Sequence, residues 1–327
     1  MAKVVVATPG TFVTVRRGML VLMKGRGKSG DVVEIPVTSV DELLIASRGV
    51  TIVSKALIDL VGQGIPVYMV RGDGAVQAMV WPAVPNKTVE TRRAQYVATT
   101  DGRGLNIAKA LIESKIVNKA WLLKYLGKSR RCGSLRNCGY RVERQVARLK
   151  VCNDSACVLE AEAAASRTYW DCIASNALPP DYRFRGRDQD GGDPINAALN
   201  YGYAILRLEC MKALMVAGLD PYAGFLHVDK SGRPSLTLDF MEPFRFAVDK
   251  AVIELSLKKS ALEAEGGLLT RESRKWVADA VLKELHERRY RYRSAREALS
   301  KIIKSQAAEL AHSLRTGEGF KPFKVSW

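Results

Sequence analysis

The chain has 327 residues, 47% hydrophobic and 26% charged, which excludes a disordered or low-complexity protein and makes two domains the natural expectation. Lys and Arg number 51 against 34 Asp and Glu, a net charge of +17, and so large an excess of one sign points to nucleic acid ahead of a membrane surface or a ribosome contact. No uninterrupted apolar run reaches the roughly 20 residues needed to cross a bilayer, and the opening "MAKVVVATPGTFVTVRRG" reads as strand rather than signal peptide, so a cytoplasmic protein is expected.

Residues 1–85 read as β structure. "KVVVAT", "TFVTVRRGMLVLMKG", "DVVEIPV", "ELLIAS" and "GVTIVS" are short, rich in Val, Ile and Thr, and punctuated by Gly, Pro or charge. "SKALIDLVGQG" (54–64) predicts a helix capped by Ser54 and ending near Gly62 or Gly64. "PVYMV", "RGDG" and "AVQAMVW" predict a hairpin with an Asp-Gly turn. The two prolines of "PAVPNK" (82–87) suit a linker.

Beyond it Ala, Leu, Lys and Glu dominate, with apolar residues at three- and four-residue steps. Helices are expected in "VETRRAQYVATT", "LNIAKALIESKIVNKAWLLKYL", "VCNDSACVLEAEAAASRTYWDCIAS" and "PINAALNYGYAILRLECMKALMVAG", and throughout 244–314. The fold class is α+β: an N-terminal β domain over 1–85, then a larger all-α domain over 86–327. The loop "PPDYRFRGRDQDGGDP" (179–194) reads as exposed; its arginines, Arg187 among them, suit phosphate contact, and a solvated loop serves equally. None of the cysteines 132, 138, 152, 157, 172 and 210 has C-x-x-C spacing, which argues against a zinc ribbon. Most read as free structural thiols, with a local bridge between 132 and 138, or 152 and 157, open for a hyperthermophile.

The stretch "GFLHVDKSGRPSLTLDFMEPFR" (224–245) carries His227, then Asp239 and Glu242 three apart. One reading is a hairpin about "KSGR" running into a helix with a capping box from Asp239 to Glu242 and Pro243 in its first turn. The other is most of a metal site, because a cap explains the acids but not the histidine. The remaining histidines, His286 and His312, read as surface residues. In "EAEAAASRTYW", Glu162 shares a helical face with Ala165, Ser166, Tyr169 and Trp170, so its carboxylate points inward and needs a partner. Arg167, another basic side chain or a divalent cation would serve. Glu162, His227 and Glu242 make a mixed O/N/O donor set suited to Mg²⁺ or Mn²⁺, leaving room for water and a phosphate oxygen. Arg245, three residues after Glu242, faces either a phosphate or a nearby acid. "ERRYRYRSAR" (287–296) interleaves Arg with Tyr290 and Tyr292, a pattern for backbone neutralisation with stacking, or a solvated helix face.

On these motifs the chain resembles the CRISPR-associated integrase/endonuclease family of spacer acquisition, the first of the numbered CRISPR-associated proteins. "EAEAAASRTYW", "DPINAALNYGYAIL", "AGLDPYAGFLHVDKSGRPSLTLDFMEPFR", "TRRAQY" and "IAKALIESKIVNKAWLL" carry the likeness in order along nearly the whole chain; Ala163 stands where glycine is common. The resemblance implies a β domain that dimerises, a helical catalytic domain, and metal ligands at Glu162, His227 and Glu242. Asp239, Arg245, Tyr169 and Arg187 are expected to support ligands or touch DNA. It implies a homodimer that acts on double-stranded and branched DNA with a small adaptation partner, the second of the numbered series. The expected activity is metal-dependent joining of 3′-hydroxyl DNA ends into the CRISPR array. A transposon-borne integrase or structure-specific nuclease would share the domain. In a silent nucleic-acid-binding scaffold the acids would only cap and pair, which the intact set of Glu162, His227 and Glu242 argues against; a general RNA-binding protein leaves the acid and histidine positions unexplained.

Overall fold

The computed structural model describes residues 2–24, 31–71, 76–81, 88–227, 230–258 and 262–326. Backbone contacts divide the chain into two compact units, Met1–Asn86 and Lys87–Trp327. The linker 82–87 and the Asp-Gly turn at 73–74 lie outside the described residues. Among the described residues no helix is long and apolar enough to cross a membrane.

The first unit runs β1 (Ala2–Val6), β2 (Thr11–Arg16), β3 (Met19–Lys24), β4 (Val32–Pro36), β5 (Val40–Ile45), β6 (Thr51–Ile52), α1 (Ser54–Gly62), β7 (Val67–Val70) and β8 (Val76–Val80). Two four-stranded sheets result, ordered β1-β5-β7-β8 and β4-β3-β2-β6. The run "TFVTVRRGMLVLMK" is not one strand. It folds back at Arg17-Gly18, both at positive φ, the combination that matches strand twist in a two-residue turn. Val13, Leu20, Leu43, Leu60 and Val67 meet in the core. The N-cap of α1 is Val53 rather than Ser54, and no side chain closes that end.

The second unit is mainly helical: α2 (Thr88–Ala98), α3 (Arg103–Ser129), α4 (Gly133–Arg144), α5 (Val146–Leu149), α6 (Ser155–Asn176), α7 (Pro194–Val216), α8 (Ser235–Phe240) and α9 (Arg245–Ser256). Then come β9 (Ala264–Glu265), β10 (Leu268–Leu269), α10 (Arg271–His286), β11 (Arg289–Tyr292), β12 (Ala295–Ala298) and α11 (Leu299–Thr316). Asp154 caps α6 by accepting the Cys157 N–H, and Asp193 caps α7 ahead of Pro194. The long α3 runs through the core, burying Leu111, Ile112, Ile116, Leu122, Leu123 and Leu126. The extended tail after α11 buries Phe320, Phe323 and Val325 in the same core.

The structure corrects several expectations. The region after 244 is not all helix: β9–β10 and β11–β12 are antiparallel pairs. "RYRY" alternates with period two, so Tyr290 turns inward while Arg289 and Arg291 are exposed. Tyr290 packs on Phe246 and Phe323 and bonds Glu284, which removes it from any base-stacking role. "SLTLDF" is α8, not the second strand of a hairpin. The 179–194 loop is anchored by buried Phe184 and by Tyr182, whose hydroxyl accepts the Leu262 N–H. Cys152 bridges Cys157, but Cys138 reaches Cys172 on α6 instead of Cys132; Cys132 and Cys210 are free. His312 is exposed, whereas His286 is half-buried.

Candidate active site

Helix α6 presents Glu162 one turn before Ser166, whose hydroxyl donates to Glu162 Oε1 at 2.6 Å. Of the expected basic partners, Arg167 is not the one that binds it. Lys115 of α3 does: its ammonium lies 2.5 Å from Glu162 Oε1 and also touches Glu242 Oε2. Glu242 opens the 3₁₀ turn Glu242–Phe244 between α8 and α9, with Pro243 in its first turn. Its Oε1 accepts from Arg245 Nε at 2.8 Å. Its Oε2 is buried against the Lys115 ammonium. Burial opposes the charge on Glu242, but Arg245 and Lys115 outweigh it and hold the carboxyl down to about 2. Burial likewise opposes ionisation of Glu162, and Lys115 overcomes it, leaving this carboxyl below its ordinary value. Burial opposes the Lys115 charge too, yet the two glutamates keep its ammonium above its ordinary range.

His227 is placed by Asp239. The Asp239 side chain is fully buried. Its Oδ2 accepts the N–H groups of Phe225 (2.7 Å) and Leu226 (2.9 Å). Its Oδ1 accepts the His227 N–H (3.2 Å) and pairs with Nδ1 of the ring at 2.5 Å. Asp239 is therefore no helix cap: it lies near the C-terminal end of α8 and gathers the 225–227 loop around itself. Gly224 permits the approach, since a Cβ there would stand 2.8 Å from Ser235 Cβ and 2.9 Å from Asp239 Oδ2. With its proton on Nδ1, the ring keeps the Nε2 lone pair for a ligand.

Glu162, His227, Glu242 and Arg245 line one cleft of about 450 Å³, with Lys115, Lys119, Arg187 and Tyr203 among its other walls. Arg187 is fixed by Asn196 Oδ1 at 2.9 Å and Asn200 Oδ1 at 2.5 Å, and both Arg187 and Arg245 lie over the Tyr203 ring. Beneath the cleft, buried Asp249 accepts the hydroxyls of Tyr169 (2.9 Å) and Tyr203. Tyr169 is 0% exposed, so it orders the core and does not reach DNA. The Lys119 ammonium lies 4.5 Å from the Tyr169 ring centre, and burial lowers it to about 8. Sequence reasoning missed Lys115, Lys119 and Asp249. The signal for the lysines was present: 115 and 119 fall on the helical face of Leu111, Ile112 and Leu122, where a solvated lysine does not belong.

As the side chains stand, no three His, Cys, Asp or Glu groups among the described residues converge closely enough to hold one ion. The donor chemistry nevertheless suits a hard divalent cation. Two ionised carboxylates and an oriented imidazole share one cleft, and a cation, the Lys115 ammonium, already bridges the acids.

Residues 4–287 match the family model described as CRISPR associated protein Cas1. The CRISPR-associated endonuclease Cas1 of Hyperthermus butylicus is 40% identical over 98% of this chain and 97% of its own length. A casposase bound to integration product superposes with a TM-score of 0.81 at 26% identity, over 97% of this chain and 91% of the other. A Cas6-RT-Cas1–Cas2 complex gives 0.76 at 18% identity, over 99% of this chain and 36% of its larger chain. A family match spanning both units, together with a relative alike over both full lengths, means that the chain belongs to the CRISPR associated protein Cas1 family.

Proposed function

We propose that this protein is a metal-dependent DNA integrase and endonuclease of CRISPR adaptation, which joins the 3′-hydroxyl ends of captured DNA fragments into the CRISPR array. As a Cas1 it is an enzyme of the CRISPR-associated nuclease and integrase class. The observation that carries the finer reading is the meeting of Glu162, His227 and Glu242 in one cationic cleft. These three would hold Mg²⁺ or Mn²⁺, and the ion, when bound, supplies Lewis-acid activation of a phosphodiester and of the attacking hydroxyl.

The chain's own residues do the rest. Asp239 fixes the His227 ring and its tautomer, which keeps the ligating nitrogen facing the cleft. Arg245 and Arg187, stacked on Tyr203, supply fixed positive charge where phosphate oxygens gain negative charge in the transition state, and Lys119 over its aromatic shelf adds to it below about pH 8. Replacing the 3′-hydroxyl by water turns joining into cutting at the same site. Double-stranded and branched DNA, a homodimer formed through the strand-rich unit, and a Cas2 partner complete the proposal. A chain of the same fold is solved in complex with Cas2, and the casposase is bound to integration product.

The test is transfer of a short 3′-hydroxyl duplex into supercoiled plasmid with or without a CRISPR repeat, with the small partner and Mn²⁺ or Mg²⁺. Joined product is expected from wild type with metal and to fall more than about 100-fold in Glu162→Ala and His227→Ala. Equal DNA binding by all three proteins, with no joining or cutting by any, would leave a scaffold. Equal joining into plasmids with and without the repeat would favour the transposon-borne integrase.

A further inference from the structure

Lys115 has no place in the activity derived so far, yet it sits at the centre of the site. Its side chain is 9% exposed and bridges Glu162, 19% exposed, and Glu242, 4% exposed. Two carboxylates this close repel each other strongly in a poorly solvated site. The ammonium cancels that repulsion, and Arg245 adds a second positive charge. The pair of acids is thus neutralised before any ion arrives.

We propose that Lys115 is a resident counter-ion that competes with the catalytic metal, holding Glu162 and Glu242 together in the empty enzyme and leaving their oxygens when the ion enters. This rests on the metal reading above. An entering cation would draw on the carboxylates of Glu162 and Glu242, the two groups the ammonium touches. A divalent ion added beside an unmoved Lys115 would meet its full charge within contact distance. The four-carbon stem lets the ammonium swing out while its backbone stays in α3. The cleft it swings into already has Lys119, Arg187 and Arg245 on its walls, which makes it a phosphate-accepting environment. Lys115 therefore moves from the carboxylates to the substrate phosphate. The empty site stays ordered, and the affinity for the ion is set lower than the acids alone would give.

The experiment measures Mn²⁺ affinity by electron paramagnetic resonance, on full-length protein without DNA, for wild type, Lys115→Met and Lys115→Gln. Thermal melts with EDTA and with Mn²⁺ accompany it. Both variants are expected to bind Mn²⁺ about tenfold more tightly than wild type, within the usual span of coupling between sites. They should melt lower in EDTA and gain more from Mn²⁺, because an ion bound only by the folded state stabilises it. Joining activity should fall despite the tighter ion. A lysine that merely braces the fold would lower the melt without raising affinity. Lys115→Gln keeps a donor for the acids, so it decides the question if Lys115→Met does not fold. Wild type that binds Mn²⁺ with variants that bind it no more tightly overturns this inference alone. Folded wild type and variants that all fail to bind Mn²⁺ overturn the metal reading with it.

Discussion

Asp239 shows how one side chain decides what its neighbours can do. Four donors converge on its two oxygens, three of them backbone N–H groups of the loop that carries His227. Asp239→Asn would place an amide N–H₂ against those donors. It is expected to lower ion affinity and joining by about 10- to 100-fold, the usual cost of losing a carboxylate behind a metal-bound histidine, and titration of Mn²⁺ against the folded variant checks it. Glu242 carries a pH signature. Its carboxyl lies at about 2 in the fold against an ordinary 4.5, so between these values the unfolded chain binds more protons. Its stabilisation is fully present above about pH 4.5 and lost as pH falls through about 2. Urea melts in EDTA from pH 6 down to 2 should show the gap between wild type and Glu242→Gln closing across that window. At this scale the placing of Glu162, His227 and Glu242 in one cleft was legible, since an inward glutamate and a scarce histidine each call for a partner. Asp239 carried two readings, a helix cap or a support for a ligand, because an acid three residues before a glutamate has the same spacing in either case; it supports His227. Only the fold brings residues 225–227 to it.

Elements were legible wherever one period ran long enough to settle the pattern. The 3.6-residue period of α3, α6 and α7 and the valine-rich alternation of β2 and β3 say helix and strand without help. The short β11–β12 pair was lost between long helices, though "RYRY" carries a period of two. The tail is illegible for another reason: its order comes from distant groups. Asn118 of α3 donates to the carbonyls of Pro243 and Phe323 and accepts the Val325 N–H, tying the tail to the turn that holds Glu242. Disulfide pairing is likewise set by helix packing. Cys138–Cys172 closes a loop of 34 residues and pins α4 to α6, whereas Cys152–Cys157 closes one of 5. By loop entropy the first contributes about 4 kcal/mol and the second about 2 kcal/mol. Cys138→Ser should therefore lower the melting temperature roughly twice as far as Cys152→Ser. Equal shifts, or no response of wild type to reductant, would count against bridges that restrain the unfolded chain.

Across the whole molecule the +17 charge is unevenly spread, most of it within residues 87–327. Part of that excess is held in an arrangement the fold itself disfavours. On the β11–β12 pair, Arg291 stands directly opposite Arg296, both exposed, and like charges at such positions cost roughly 0.2–1 kcal/mol. Nearby Arg289 and Arg293 do find acids, Glu297 and Glu309. A pair that opposes its own hairpin makes physical sense where a polyanion neutralises it. On the DNA-binding reading, Arg291→Gln with Arg296→Gln leaves the melting temperature unchanged or slightly raised. It weakens DNA binding uniformly across sequences and lowers the slope of log affinity against log salt by about 2, one counterion for each arginine removed. Fluorescence anisotropy of a labelled duplex over a salt series measures it. An unchanged slope would place the hairpin off the DNA path and leave the bound phosphates to Lys119, Arg187 and Arg245 in the cleft.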